Sequence, residues 1–365
     1  MQIARKSFCF SLAARILALL ALVLVAPGNF TTSVSMPQGL TAPPLVSAVA
    51  SIGMTVRDLD RSVEFYSHIL SSNKIREMEL SGESWEHLEG VFGLRIRIAW
   101  LRLGNEQIAL KEFVTPKGRS VPEVSFSNDR WFQHLAIITS DMDRAYSWLQ
   151  ENKVRYISSS PQLLPAYLKA AGIRAFYFED PDGHPLEILQ FPADKGDAKW
   201  HRSTSQLFLG VDHTAIVVSN TEASLKFYRD FLGLKVSGES ENYGPEQEHL
   251  NSVFGARLRI MSMRAESGPG IELLEYLAPT NGRPMPEDER ANDLIHHETY
   301  LVTTNLELAA RLLRQAPFRL ISAAVVEFPE GDAGFHSALL VRDPDGHPME
   351  LCPGMKDPKS VKEES

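Results

Sequence analysis

Six residues of two kinds recur at matching places along the chain. A histidine opens an apolar run three times: His134 in "FQHLAIIT", His213 in "GVDHTAIVV" and His297 in "HHETYLVTT", where His296 precedes it. A glutamate stands inside an apolar run three times: Glu187 in "PLEILQF", Glu272 in "GIELLEY" and Glu350 in "PMELC". The His-to-Glu separations are 53, 59 and 53 residues. One histidine on an apolar strand is ordinary core chemistry. A carboxylate between Ile and Leu is not, because burying it unpaired is costly. Both types recurring together point to one shared divalent cation that offsets the buried charge. Neutral imidazole and carboxylate suit Fe, Mn, Ni, Co or Zn.

The elements that must position these residues are themselves repeated. Phe65 and Phe227 open matching "FY" helical segments 162 positions apart, and the "EHL" segments at Glu86 and Glu248 keep that offset. The turns "DPDGHP" at Asp180 and Asp343 are 163 apart. The chain is therefore a duplication, with repeats at 48–192 and 207–354 joined by a linker at 193–206. Each repeat divides into two β-α-β-β-β modules, near 50–114, 133–191, 211–276 and 296–352. In the third module the periodicity predicts a helix from Thr221, as N-cap, to Leu232, stopped by Gly233; Asn305 caps the helix of the fourth. Asp-Pro-Asp-Gly is tight-turn chemistry, so His184 and His347 read as turn residues rather than ligands. His87 and His249 in the "EHL" segments read as surface helix residues.

Bulk properties bound the function. The 365-residue chain carries a net charge of −9, which argues against a nucleic-acid partner. Residues 1–28 have a basic start at Arg5 and Lys6 and an apolar run from Ile16 to Ala26, the layout of a signal peptide or, if uncleaved, a membrane anchor. A cut after Gly28 predicts an exported, periplasmic or secreted chain. It would also remove Arg5, Lys6 and Arg15, taking the charge from −9 to about −12. Cys9 lies in that leader, leaving Cys352 with no partner for an internal disulfide. Residues 29–47 read as a Pro/Ser/Thr-rich linker and 355–365 as a disordered tail. Monomer and homodimer both remain open.

These motifs resemble the vicinal oxygen chelate superfamily, which includes glyoxalase I, extradiol dioxygenases, and bleomycin- and fosfomycin-resistance proteins. The carriers are "VDHTAIVVSNTEASLKFYRDFLGL", "GIELLEY", "FQHLAIIT" and both DPDGHP strands, over about 300 residues. The resemblance implies an α+β fold of four βαβββ modules paired into two open mixed-sheet barrels. It also implies one divalent metal held by the first and last strands of two paired modules, and a small-molecule substrate that chelates it through vicinal oxygens. Carried over by position, the second repeat offers a complete set, His213, Glu272, His297 and Glu350. The first offers Ser51, Ala109, His134 and Glu187 and is half empty. Pairing within a repeat is favoured because sequential elements tend to be neighbours. Crossed pairing would instead complete His134, Glu187, His213 and Glu272.

The favoured activity is a lyase or isomerase in which a ligand glutamate, first Glu350 and then Glu272, moves the proton. An extradiol Fe(II) dioxygenase is the alternative, with His336 as acid/base. Against it, the tyrosine expected before the turn is Leu340 in the second repeat, and only Tyr177 fills that place in the first. A binding protein without catalysis is the third reading.

Overall fold

The computed structural model describes residues 44–328 and 334–354. The expected leader, the linker as far as position 43 and the tail 355–365 lie outside the described residues. Module one contributes β1 (Val46–Val56), α1 (Leu59–His68), β2 (Asn73–Ser81), α2 (Glu83–Glu89), β3 (Arg95–Leu103) and β4 (Glu106–Thr115). Module two contributes β5 (Gln133–Thr139), α3 (Met142–Glu151), two short strands β6 (Arg155–Tyr156) and β7 (Gln162–Leu163), then β8 (Arg174–Glu179) and β9 (Pro185–Gln190). Module three contributes β10 (Phe208–Val218), α4 (Thr221–Leu225), β11 (Lys235–Tyr243), α5 (Pro245–Asn251), β12 (Arg257–Arg264) and β13 (Gly270–Ala278). Module four contributes β14 (His297–Thr303), α6 (Leu306–Leu313), the short β15 (Arg319–Leu320) and β16 (Val326–Glu327), then β17 (Ser337–Arg342) and β18 (Pro348–Cys352).

One device starts the main helix of every module. Asp58, Asp141, Asn220 and Asn305 each stand extended before the helix and accept a backbone N–H with the side-chain oxygen. Asn220 therefore replaces Thr221 as the expected cap; Thr221 is the first helical residue. The helix then widens into a π-helical segment over Lys226–Phe231 and stops at Gly233, whose φ is 85°.

The modules pair crosswise. One nine-stranded sheet runs β15-β17-β18-β14-β1-β4-β3-β2, joining modules four and one. The other runs β11-β12-β13-β10-β5-β9-β8-β6, joining modules three and two. Both are mixed and open. The expected pairing within a repeat is thus corrected: each sheet takes one module from each repeat, so 48–192 and 207–354 are not the two barrels. We call the sheet of modules two and three the inner cup and the other the outer cup.

Sequence neighbours do meet, but through their helices. Leu59 and Tyr66 of α1 share one core with Met142 and Leu149 of α3. Leu225 and Phe227 share another with Leu306 and Ala309 of α6. The crossing is carried by the segments 116–132 and 279–296, which clasp each other. Arg119 donates from Nη2 to Asp293 Oδ2 at 2.6 Å and from its backbone N–H to Oδ1 at 2.8 Å. Arg283 does the same to Asp129, at 2.5 and 2.9 Å. Gly118 and Gly282 lie so close to the carbonyls of Asn292 and Asn128 that neither position has room for a Cβ. This two-sided clasp accompanies the crossed pairing of the modules.

Candidate metal centre

In the inner cup the period-2 alternation of β5, β9, β10 and β13 aims His134, Glu187, His213 and Glu272 into one space. The pairing Ala215↔His134 aligns β10 with β5, Ala136↔Glu187 aligns β5 with β9, and Ala215↔Glu272 aligns β10 with β13. His134 Nε2 is 3.2 Å from Glu187 Oε2. His213 Nε2 is 3.8 Å from the same oxygen and 3.4 Å from Glu272 Oε2. His134, Glu187 and His213 each offer a ligand atom, all within 4.8 Å of one another. Neither ring nitrogen of His134 has a hydrogen-bond partner among the described residues, although the side chain is buried. A buried imidazole that makes no hydrogen bond, with one carboxylate 3.2 Å away and a second imidazole beside it, is a donor set suited to a divalent metal.

The support of His213 escaped the sequence reading. Asp212 accepts from His213 Nδ1 at 2.9 Å, which leaves Nε2 facing the cup. Asp212 is itself held by Trp200 Nε1 at 3.0 Å and by Arg264 Nη2 at 2.8 Å. Burial alone would lower the His213 pKa; Glu272 first, then Asp212 and Glu187, reverse this and raise it to about 9. Asp212 is buried too, yet His213, Arg264 and Trp200 hold its carboxyl well below the usual range. The adjacency Asp212–His213 is the one sequence signal for this pair.

The four residues open on a cleft of about 830 Å³, walled by Tyr177, Leu274, Lys169 and the linker from Phe191 to Lys199. The Tyr177 ring lies 4.8 Å from that of His134, and burial raises its pKa well above the ordinary value. Glu272 is the most open of the set, its side chain 22% exposed against 6% for Glu187. Ser262 Oγ donates to its Oε1 at 2.5 Å.

The favoured set is not brought together. His213 and Glu272 stand in the inner cup, whereas His297 and Glu350 belong to strands of the outer sheet. His297 does not even share a face with Glu350. The register Ile52↔Thr299 matches Thr214↔Leu135 of the inner cup, so the counterpart of His134 is Glu298, not His297. One residue of slip moves a side chain to the opposite face. His297 accordingly lies on the far side, its ring 5.1 Å from that of His184 and its Nδ1 3.2 Å from the Ile295 carbonyl. The outer cup presents Ser51 and Ala109 where the inner presents His213 and Glu272. Glu350 is buried there with a raised pKa, from burial first and then the charge of Glu298. His336 is exposed in the bend just before β17 and lines no part of the inner cleft. His87 and His249 are exposed on α2 and α5, as expected.

The DPDGHP turns are clamps. Asp180 Oδ1 accepts the N–H groups of Asp182, Gly183 and His184 at 2.8 to 3.0 Å. The His184 ring reaches Asp180 Oδ2 and the Leu294 carbonyl, both at 2.7 Å. His347 repeats this with Asp343 at 3.0 Å and the Arg130 carbonyl at 2.8 Å. Each turn closes one sheet and grips the crossing segment that enters the other.

Comparison with known proteins agrees with this architecture. A family model described as Glyoxalase/Bleomycin resistance protein/Dioxygenase superfamily matches residues 48–188 and 210–351. A lactoylglutathione lyase of Arabidopsis thaliana is 24% identical over 279 residues, covering 76% of this chain and 86% of that one. A metallothiol transferase FosB of Staphylococcus epidermidis is 25% identical over 143 residues, 39% of this chain and 81% of the transferase. Among solved structures, glyoxalase I from Zea mays aligns with a TM-score of 0.56 at 15% identity, over 84% of this chain and 92% of that one.

Proposed function

Because the chain belongs to the glyoxalase/bleomycin resistance protein/dioxygenase superfamily, we propose that its inner cup is a metal-dependent lyase or isomerase centre for a small substrate bearing vicinal oxygens. His134, Glu187, His213 and Glu272 would hold one divalent ion, Fe, Mn, Ni, Co or Zn. Bound there, it would supply Lewis-acid stabilisation of negative charge developing on the substrate. Glu272 takes the proton-moving role first given to Glu350: it faces the cleft, and Ser262 fixes its Oε1 while its Oε2 lies beside His213. Asp212 positions His213, and the buried Tyr177 and Leu274 limit water at the reacting atoms. The observation that supports this most is the convergence of Glu187 and His213 on a buried His134 ring that makes no hydrogen bond among the described residues, with Glu272 3.4 Å from His213.

Tyr177 keeps a second reading in view. Crossed pairing puts this tyrosine beside the complete set, as an extradiol dioxygenase would need, while Glu272 adds a carboxylate that such a site does not call for. Elemental analysis of the purified chain tests both. About one ion per chain, lost in His134→Ala and kept in His297→Ala, is expected; retention in His134→Ala refutes the site. Nickel, cobalt or zinc favours the lyase or isomerase. Iron with oxygen uptake on a catechol favours the dioxygenase.

A further inference from the structure

The outer cup has lost the donors of a metal centre but not its carboxylates. Glu298 takes the place of His134 and Glu350 that of Glu187. Glu89, at the end of α2, adds a third buried carboxylate where α5 of the inner cup has Asn251. Three acids in one dry space demand a cation. The cations present are side chains, and one of them stands among the acids themselves. Lys111, on β4, stands where the inner cup has Leu274. Its Nζ donates to Glu89 Oε1 at 2.5 Å and to Glu298 Oε2 at 2.7 Å, and all three side chains are at most 4% exposed.

The rest of the cluster is arranged around that ammonium. His296 bridges Glu298 at 2.8 Å and Glu289 at 2.6 Å, and Arg342 pairs with Glu289. Glu89, His296 and Glu298 each offer a ligand atom, all within 4.8 Å of one another. Glu350 Oε1 and Glu89 Oε2 are buried without a hydrogen-bond partner among the described residues. These are spare donors beside the Lys111 ammonium, with His296 and Arg342 as the further cations of the cluster.

We propose that the Lys111 ammonium takes the central place of a metal ion in the outer cup, and that it masks a latent metal site formed by Glu89, Glu298 and, on loss of a ring proton, His296. The outer cup has thereby become a metal-independent support for the inner cup. Replacing the ammonium by a neutral side chain of similar length should let a divalent ion in.

The test is a Co²⁺ titration of chelator-stripped wild type and Lys111→Met, read by bound cobalt per chain and by absorption. The expected result is one more Co²⁺ in Lys111→Met than in wild type, lost again in Lys111→Met/Glu298→Gln. Because the count is a difference between two chains, it holds whether or not the inner cup binds cobalt; His134→Ala reports on the inner cup separately. Uncompensated carboxylates can unfold the stripped variant, so it is also refolded with and without Co²⁺. Recovery only with Co²⁺ supports the proposal. Equal cobalt counts overturn it. So does a Lys111→Met chain that stays unfolded with Co²⁺, since an ion could not then replace the ammonium. A wild-type ion lost on Glu298→Gln would overturn it too, because the cluster would then be a metal site with Lys111 in place.

Discussion

Replacing His184 by alanine should remove both stability and a specific pH dependence. Both ring nitrogens of His184 face oxygens at 2.7 Å, a carboxylate on one side and the Leu294 carbonyl on the other. A neutral imidazole has a single N–H and would set a lone pair against one of them, so the buried ring is held as imidazolium. Burial opposes this; the Asp180 charge and hydrogen bond, helped by Asp182 and the carbonyl, outweigh it and raise the pKa from 6.5 to about 9. That difference corresponds to about 3 kcal/mol of folding stability. Because the folded value exceeds the unfolded one, the stabilisation is complete below about pH 6.5. It is lost as the pH rises through about 9.

Urea unfolding of wild type and His184→Ala at pH 6.0, 7.5 and 9.5, in excess chelator so that no ion contributes, measures the effect. His213 and His296 also have pKa values raised to about 9, so only the difference between the two proteins isolates His184. That difference should be largest at pH 6.0 and shrink by about 3 kcal/mol at pH 9.5, leaving the lost packing and hydrogen bonds. Parallel pH profiles would refute the charged clamp.

Three further outcomes follow from the same geometry. Asp212→Asn should weaken Co²⁺ binding at the inner cup by about 10- to 100-fold without abolishing it, read by competition with a chromophoric chelator. Gly118→Ala and Gly282→Ala should each cost about 1–3 kcal/mol in urea melts, since the added methyl meets a backbone carbonyl that cannot swing away. If the leader is cleaved after Gly28, intact-mass analysis of chain recovered from the exported fraction should give Asn29 as its first residue; a mass that includes the leader would show an anchor.

The fold was legible because the repeat, the turn chemistry and the strand alternation are local signals. The four inner-cup residues were legible individually for the same reason, as the alternative set: a buried carboxylate on an apolar strand is anomalous wherever it occurs. Pairing was not, because proximity in sequence was satisfied by helix faces rather than by strands, a distinction that periodicity does not carry. The decisive marks were nonetheless in the chain. Gly118-Arg119 recurs as Gly282-Arg283, and Asn128-Asp129 recurs as Asn292-Asp293, a matched pair of loops that clasp each other in the crossed arrangement.

The misplaced ligand has a similar cause. Aligning on histidine sets His297 against His134, 163 positions apart, the spacing of the DPDGHP turns. The helix caps Asp141 and Asn305 are 164 apart and lie closer to the strand in question. They set Glu298 against His134, and one residue of register decides which face of a strand a side chain occupies. Caps are fixed by backbone hydrogen bonds, whereas a histidine can appear at a neighbouring position by chance, so the cap is the better anchor. For Lys111 the relevant register is Thr55↔Lys111 against Val217↔Leu274, and it puts a cation among buried acids where the inner cup has a leucine.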